Sequence, residues 1–364
     1  MKHNIVFIFI GLLGFIMCLS CKTDIQTLGS LNDPTIVVPE VANQAVNDSI
    51  SHLLNYSGGI AEKNDTFSVV TIVKSKYVLD FPDLIKYNNV WYMTMRFSDG
   101  HVANIFGHVI VSSSNDLKVW KPEQIYMQPG YDLRDPKLFS DGNLRVHFNS
   151  TTIYPYGNIR NDFIGEFQND SVIWGRAIMI NKNTYVKSWF WRITFYNNTY
   201  YTCGYLGGNP LKLYTSTDGL DYETNFHFSL NDSPSEATLR FGDQYAYVII
   251  RLNGFAVLGR SAINNLRDWE LSSLPWQNIG GPNFLIYKNY LLISGRINNK
   301  TMLYSYNLQN KEIKEMITLP TISECGYPGL YIEDDMLYLV YYTGASNNEY
   351  AINLASINLT KFNL

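Results

Sequence analysis

Six copies of one pattern run through this chain, and that repeat constrains its fold more than any other feature. Each copy begins with a polar or special residue, usually followed by proline, and continues as an apolar strand, a turn and a second apolar strand. The segments are FPDLIKYNNVWYMTMR (81–96), DPKLFSDGNLRVHFNS (135–150), RITFYNNTYYTCGYLG (192–207), EATLRFGDQYAYVIIR (236–251), GPNFLIYKNYLLISGR (281–296) and YPGLYIEDDMLYLVYY (327–342). Their first residues are 54, 57, 44, 45 and 46 positions apart. Each reads as a hairpin whose turn is rich in Asn, Asp or Gly. A period near fifty leaves room for two more strands per unit, the arithmetic of a four-stranded propeller blade. The expected fold is therefore all-β, a six-bladed β-propeller. Only 22 residues follow Tyr342, enough for one strand at 350–359. The missing outer strand is expected from 66–73, so that both chain ends close the last blade.

The 27 Tyr, 19 Phe and 7 Trp fit this reading, since aromatic side chains favour strands and also form stacking platforms for sugars. A net charge of −4 with no basic block gives no support to a nucleic-acid partner. Lys2 and His3 precede an uncharged apolar run at 5–19, short for a membrane span and typical of a secretory signal. The run ends in Cys18-Leu19-Ser20-Cys21, which resembles a bacterial lipobox. The resemblance implies a signal peptide over 1–20, lipidation of Cys21 and anchorage at the bacterial cell envelope; the alternative is cleavage nearby and release. Residues 21–62 read as a tether with a short helix near 42–54, and 63–364 as the propeller. Cys203 and Cys325 form no disulfide framework, and no metal-ligand spacing or cofactor motif is visible.

The repeat also serves as a ruler. In an antiparallel hairpin the first residue of one strand lies beside the last residue of the next, so positions one and sixteen should gather at one mouth of the central channel. The first positions are Phe81, Asp135, Arg192, Glu236, Gly281 and Tyr327; the sixteenth are Arg96, Ser150, Gly207, Arg251, Arg296 and Tyr342. Charges collected in otherwise apolar strands point to a binding or active site, the competing reading being a ring of structural salt bridges.

The segments 235–251 and 325–342 resemble the sialidase (neuraminidase) superfamily, in which a Glu is followed about one hairpin later by an Arg and a nucleophilic Tyr opens the last blade. Three further turns, SNDLKVW (114–120), STDGLDY (216–222) and INNLRDW (263–269), resemble shortened Asp boxes of that fold; mechanically they are Asx turns with a packed aromatic. The resemblance covers about 80–345. It implies that Tyr327 is the nucleophile, Glu236 its base, and Arg251 and Arg296 members of the cluster holding a substrate carboxylate. Arg134-Asp135-Pro136 resembles the sugar-contacting Asp-Pro of the second blade, and Arg96 with Asp99 the Arg and acid/base Asp leaving the first. His101 and Asp135 are the alternatives to Asp99 as acid/base. One departure stands out: where the family opens its first blade with Arg-Ile-Pro, this chain has Asp80-Phe81-Pro82, leaving Arg96 or Arg192 to reach that space.

The residue types suit the chemistry. A phenol needs a carboxylate to take its proton and arginines to favour phenolate. A neutral Tyr also avoids the repulsion that a carboxylate nucleophile would meet from a sugar bearing an anomeric carboxylate. Guanidinium groups bind carboxylates in bidentate fashion. Trp189 and Trp191 either line the site or pack blade three. The expected activity is retaining, exo-acting release of a terminal acidic sugar from a glycan. A silent glycan-binding propeller is the alternative; the Glu236–Tyr327 pair favours the enzyme.

Overall fold

A computed structural model describes residues 40–42, 44–153, 160–168, 173–182, 188–207, 209–344 and 349–364. The signal segment and Cys21 lie outside the described residues. The described chain forms six antiparallel units around one axis. Blade I holds Val78–Tyr87, Val90–Ser98, Gly107–Ser114 and Lys121–Met127, counted from the inside. Blade II holds Tyr131–Ser140, Leu144–Thr152 and Arg160–Gln168, with Ile173–Trp174 and Ile178–Met179 sharing its outer edge. Blade III runs Trp189–Tyr196, Thr199–Tyr205, Lys212–Ser216, Glu223–His227, and blade IV Ala237–Phe241, Tyr245–Arg251, Ala256–Ala262, Glu270–Leu274. Blade V runs Gly280–Tyr287, Tyr290–Ile297, Lys300–Asn307, Ile313–Thr318. Blade VI begins with Cys325–Glu333, Met336–Gly344 and Tyr350–Asn358. The six inner strands touch one another in cyclic order, blade VI returning to blade I.

Closure uses both chain ends. Phe67–Ser75 pairs with Tyr350–Asn358 through Ile352↔Val73 and Leu354↔Val70, supplying the fourth strand of blade VI. The segment read as a tether is structured at 40–42 and 44–62. Glu40–Val41 pairs with the outer strand of blade I, the helix Gln44–Ser51 buries Ile50, and Asn55–Lys63 adds a fifth strand to blade VI. A polar composition hid this, because one buried Ile, the adjacent Leu54 and a strand edge suffice to dock the segment.

Local chemistry explains the hairpins. Asn88-Asn89, Asn197-Asn198 and Asp334-Asp335 take positive φ at both central positions, as two-residue turns between twisted strands require. Asp116 and Asp218 accept backbone amides two and three residues on, and buried Trp120 and Tyr222 close those turns. The inner strands carry a second device. Phe81, Asp135, Gly281 and Tyr327, each followed by proline, have φ of 54°, 50°, 60° and 51°, and the ladder skips at each of them. A bulge of this kind adds one residue and re-aims its side chain. For a non-glycine residue before proline it costs on the order of 1–3 kcal/mol. Three strained side chains are thus turned towards one end of the channel.

Candidate active site

Tyr327 stands at the centre of that end, and its placement depends on a residue with no side chain. A Cβ on Gly281 would lie 2.4 Å from Cγ of Tyr327, so only glycine in blade V admits the ring. The Gly281 amide in turn donates to Glu236 Oε2 at 2.8 Å. Glu236, from the start of blade IV, presents its other oxygen to the phenol: Tyr327 Oη donates to Glu236 Oε1 at 2.9 Å. Arg251 closes the triangle, donating to Glu236 Oε1 at 2.8 Å and to Tyr327 Oη at 3.1 Å. The Arg296 guanidinium lies 5.4 Å from the centre of the Tyr327 ring. Burial pushes the Tyr327 phenol well above its ordinary value, with the Glu236 charge adding to the shift and Arg251 and Arg296 opposing it. The resting group is therefore a neutral phenol already hydrogen-bonded to a carboxylate, with two cations beside it.

Aromatic rings wall the blade I and III sides. Phe81 meets Tyr327 edge-on at 4.8 Å, and Trp191 lies 5.8 Å away. Trp191 is buried in the apolar core behind Tyr327, whereas Trp189 donates its indole N–H to Asp135 Oδ2 at 2.9 Å. Burial raises the Asp135 pKa; Arg134 and Lys137 oppose the shift and Glu236 adds to it.

The other expected site residues fall elsewhere. Arg96 is fully buried and spoken for: Nη1 binds Asp80 at 3.1 Å, and Nε and Nη2 bind the two oxygens of Asp132 at 2.8 and 2.9 Å. Arg192 is also buried, in an ion pair with Asp83 at 2.7 Å. Neither guanidinium is left free to serve the mouth, because buried carboxylates hold both. Asp99 caps its own loop, its carboxylate accepting the amides of Asn104 at 3.1 Å and Ile105 at 3.0 Å. The structure thus brings together Tyr327, Glu236, Arg251 and Arg296, sets Asp135 beside them through Trp189, and holds Arg96, Arg192 and Asp99 in contacts of their own.

Three contributors were given no role of their own by the sequence reading. Gly281 was visible as a first-position glycine before proline, the pattern its neighbours share. Arg134, next to Asp135, lies 5.5 Å from the Phe81 ring and donates to the His101 carbonyl at 2.9 Å. Lys137 sits buried beneath the mouth, 5.1 Å from the Trp191 ring, and burial first, then Arg192, lowers its pKa to about 8. Its sequence signal was a lysine in an inner strand. Among the described residues no group of three or more His, Cys, Asp or Glu is arranged to hold a metal ion.

No protein-family model matches the sequence, and no curated protein matches it. Solved structures do. Trypanosoma rangeli sialidase in complex with the inhibitor DANA superposes with a TM-score of 0.63 at 13% identity, over 87% of this chain and 59% of that one. The NanB sialidase from Streptococcus pneumoniae gives 0.61 at 10% identity, over 78% and 68%. The phage phi92 endosialidase gives 0.59 at 12% identity, over 82% and 70%. This chain thus spans little more than half the length of the Trypanosoma enzyme. At these identities the likeness establishes a shared sialidase-type propeller fold.

Proposed function

We propose that this sialidase-fold chain is an exo-acting glycoside hydrolase that releases a terminal acidic sugar with retention of configuration. The observation that carries the reading is the 2.9 Å hydrogen bond from the Tyr327 phenol to Glu236, made inside a strained and partly cationic mouth. A propeller that only binds glycans has no need for that pair.

In the proposed reaction the Tyr327 proton passes to Glu236 as Oη bonds to the anomeric carbon. Arg251, already donating to Oη, stabilises the developing phenolate, and burial confines deprotonation to the moment of attack. Arg251 and Arg296 hold the sugar carboxylate, which is also why a neutral nucleophile serves better than an anionic one. Water then hydrolyses the tyrosyl glycoside, Glu236 returning its proton to the phenol. Asp80, where the family places an arginine, pairs with Arg96 instead, and Phe81 beside it gives that side of the site an apolar wall, leaving two arginines for the carboxylate of sialic acid or a relative. The same departure supports the second reading, a glycan binder without turnover. The envelope lipoprotein anchored through Cys21 remains part of the proposal, and Cys21→Ala should shift the protein from the detergent-extracted to the soluble fraction.

Screening the purified protein against fluorogenic sialosides and other aryl glycosides tests the reading. Turnover of a sialoside or a related 2-keto acid glycoside is expected. Glycan binding on an array with no hydrolysis of any glycoside would put the binder ahead.

A further inference from the structure

Departure of the aglycone needs a proton donor on the side of the anomeric carbon away from Glu236. The loop between the second and third strands of blade I reaches there. Its carboxylate, Asp99, is engaged by the loop itself, accepting amides at 104, 105 and 106. Its histidine is turned outward. His101 has a half-exposed side chain, and its ring lies 6.1 Å from Phe81, which itself lies 4.8 Å from Tyr327. His101 Nδ1 stands 3.9 Å from Asp80 and 4.0 Å from Glu324, which leaves Nε2 as the ring nitrogen without a carboxylate partner in these pairs. Its backbone is fixed from below. Arg96 donates to the Gly100 carbonyl at 3.0 Å and Arg134 to the His101 carbonyl at 2.9 Å.

A cavity of about 420 Å³ opens beside the histidine, lined by Lys76, Asp99, Ser323, Glu324 and Tyr350. Glu324 belongs to both features, lining the cavity and facing His101. The lining is polar and carries an aromatic ring, the surface that a neutral sugar with its hydroxyls would meet. The loops beside it expose Val102 and Ile322.

We propose that His101, rather than Asp99, protonates the leaving oxygen, and that the leaving sugar occupies the cavity bounded by Glu324 and Tyr350. The inference rests on the glycosidase reading. The glycosidic C–O bond breaks, its electron pair stays on oxygen, and that oxygen takes the Nε2 proton as Tyr327 bonds to carbon. The neutral imidazole then takes a proton from the attacking water. Arg96 acts here as a positioning residue, holding the loop that carries the histidine.

Leaving-group dependence separates proton donation from structure. On 3′-sialyllactose, whose aglycone is a poor leaving group, His101→Gln should lower kcat/KM roughly 10²-fold or more. On 4-methylumbelliferyl sialoside, whose phenol leaves without help, the loss should stay below about tenfold. Asp99→Asn should lower both alike through loop disorder, and Glu324→Gln should raise KM for sialyllactose alone. A split shown by Asp99→Asn, or equal losses in His101→Gln, overturns the assignment while leaving the glycosidase reading intact. An unaffected KM in Glu324→Gln overturns the aglycone cavity. A wild-type protein inert towards both substrates overturns this inference, and inertness towards every other aryl glycoside as well sinks the glycosidase reading.

Discussion

Arg96 and Arg251 occupy the same register in their blades, yet they have opposite fates. Both close a hairpin beside the channel, and both meet carboxylates. Arg251 shares its carboxylate with a tyrosine and keeps about a quarter of its side chain exposed. Arg96 lies between two buried aspartates, one of them shared with Arg134, and has no exposure at all. On the blade I side the charges neutralise one another and become scaffold; on the blade IV side a carboxylate serves two partners at an open mouth and remains available for chemistry. The lesson is that register brings a residue towards the mouth, and whether the ion pair it makes is sealed or open decides what it does there.

The largest expected effect lies on the blade IV–VI side. Tyr327→Phe should lower kcat on the order of 10³-fold or more while melting is little changed, because Glu236 keeps Arg251 and the Gly281 amide. Near-normal turnover would remove the distinction between the two sides. The arginines sharpen it next. Arg96→Ala leaves Asp80 buried without its arginine and Asp132 with Arg134 alone, and should cost about 3–5 kcal/mol in urea unfolding. Arg251→Ala, partly exposed, should cost clearly less stability but abolish binding of the acidic sugar; equal destabilisation would erase the contrast. Gly281→Ala, whose Cβ collides with the Tyr327 ring at positive φ, should cost about 1–3 kcal/mol and displace the phenol, read by unfolding and turnover together.

The smallest effect concerns Lys137, beneath both sides. Its pKa is lowered in the fold to about 8. The unfolded chain, titrating near 10.4, therefore binds more protons than the folded chain between those values. Stability tied to this group is present above the unfolded value and lost as pH falls through about 8. From pH 8 to 10.5 wild type should gain about 1–3 kcal/mol relative to Lys137→Met. A pH-independent difference would mean that the amine is not held in its low-dielectric setting.

The blades were legible because their information is local. Asn-Asn and Asp-Asp turns, alternating strands and the spacing of the repeat reveal each hairpin without reference to its neighbours, and the short C-terminal remainder points to closure by residues near 66–73. The docking of Gln44–Ser51 and Asn55–Lys63 was not legible, since a strand edge exists only after blade VI has formed. At the mouth, residue types at Tyr327 and Glu236 pointed to the pair. What the sequence could not reveal was competition: that Asp132 of blade II would reach Arg96 of blade I, or that loop amides would capture Asp99. Such partners are set by blade-to-blade geometry.

The central claim is a covalent bond to one oxygen atom among 27 tyrosines. A fluorinated sialic acid carrying fluoride as leaving group slows hydrolysis of the glycosyl-enzyme enough for peptide mapping by mass spectrometry. The account predicts one added sugar per chain, on Tyr327, absent from Tyr327→Phe and from protein labelled after saturation with free sialic acid. Labelling of another residue, or turnover of a sialoside with no adduct at Tyr327, would contradict it.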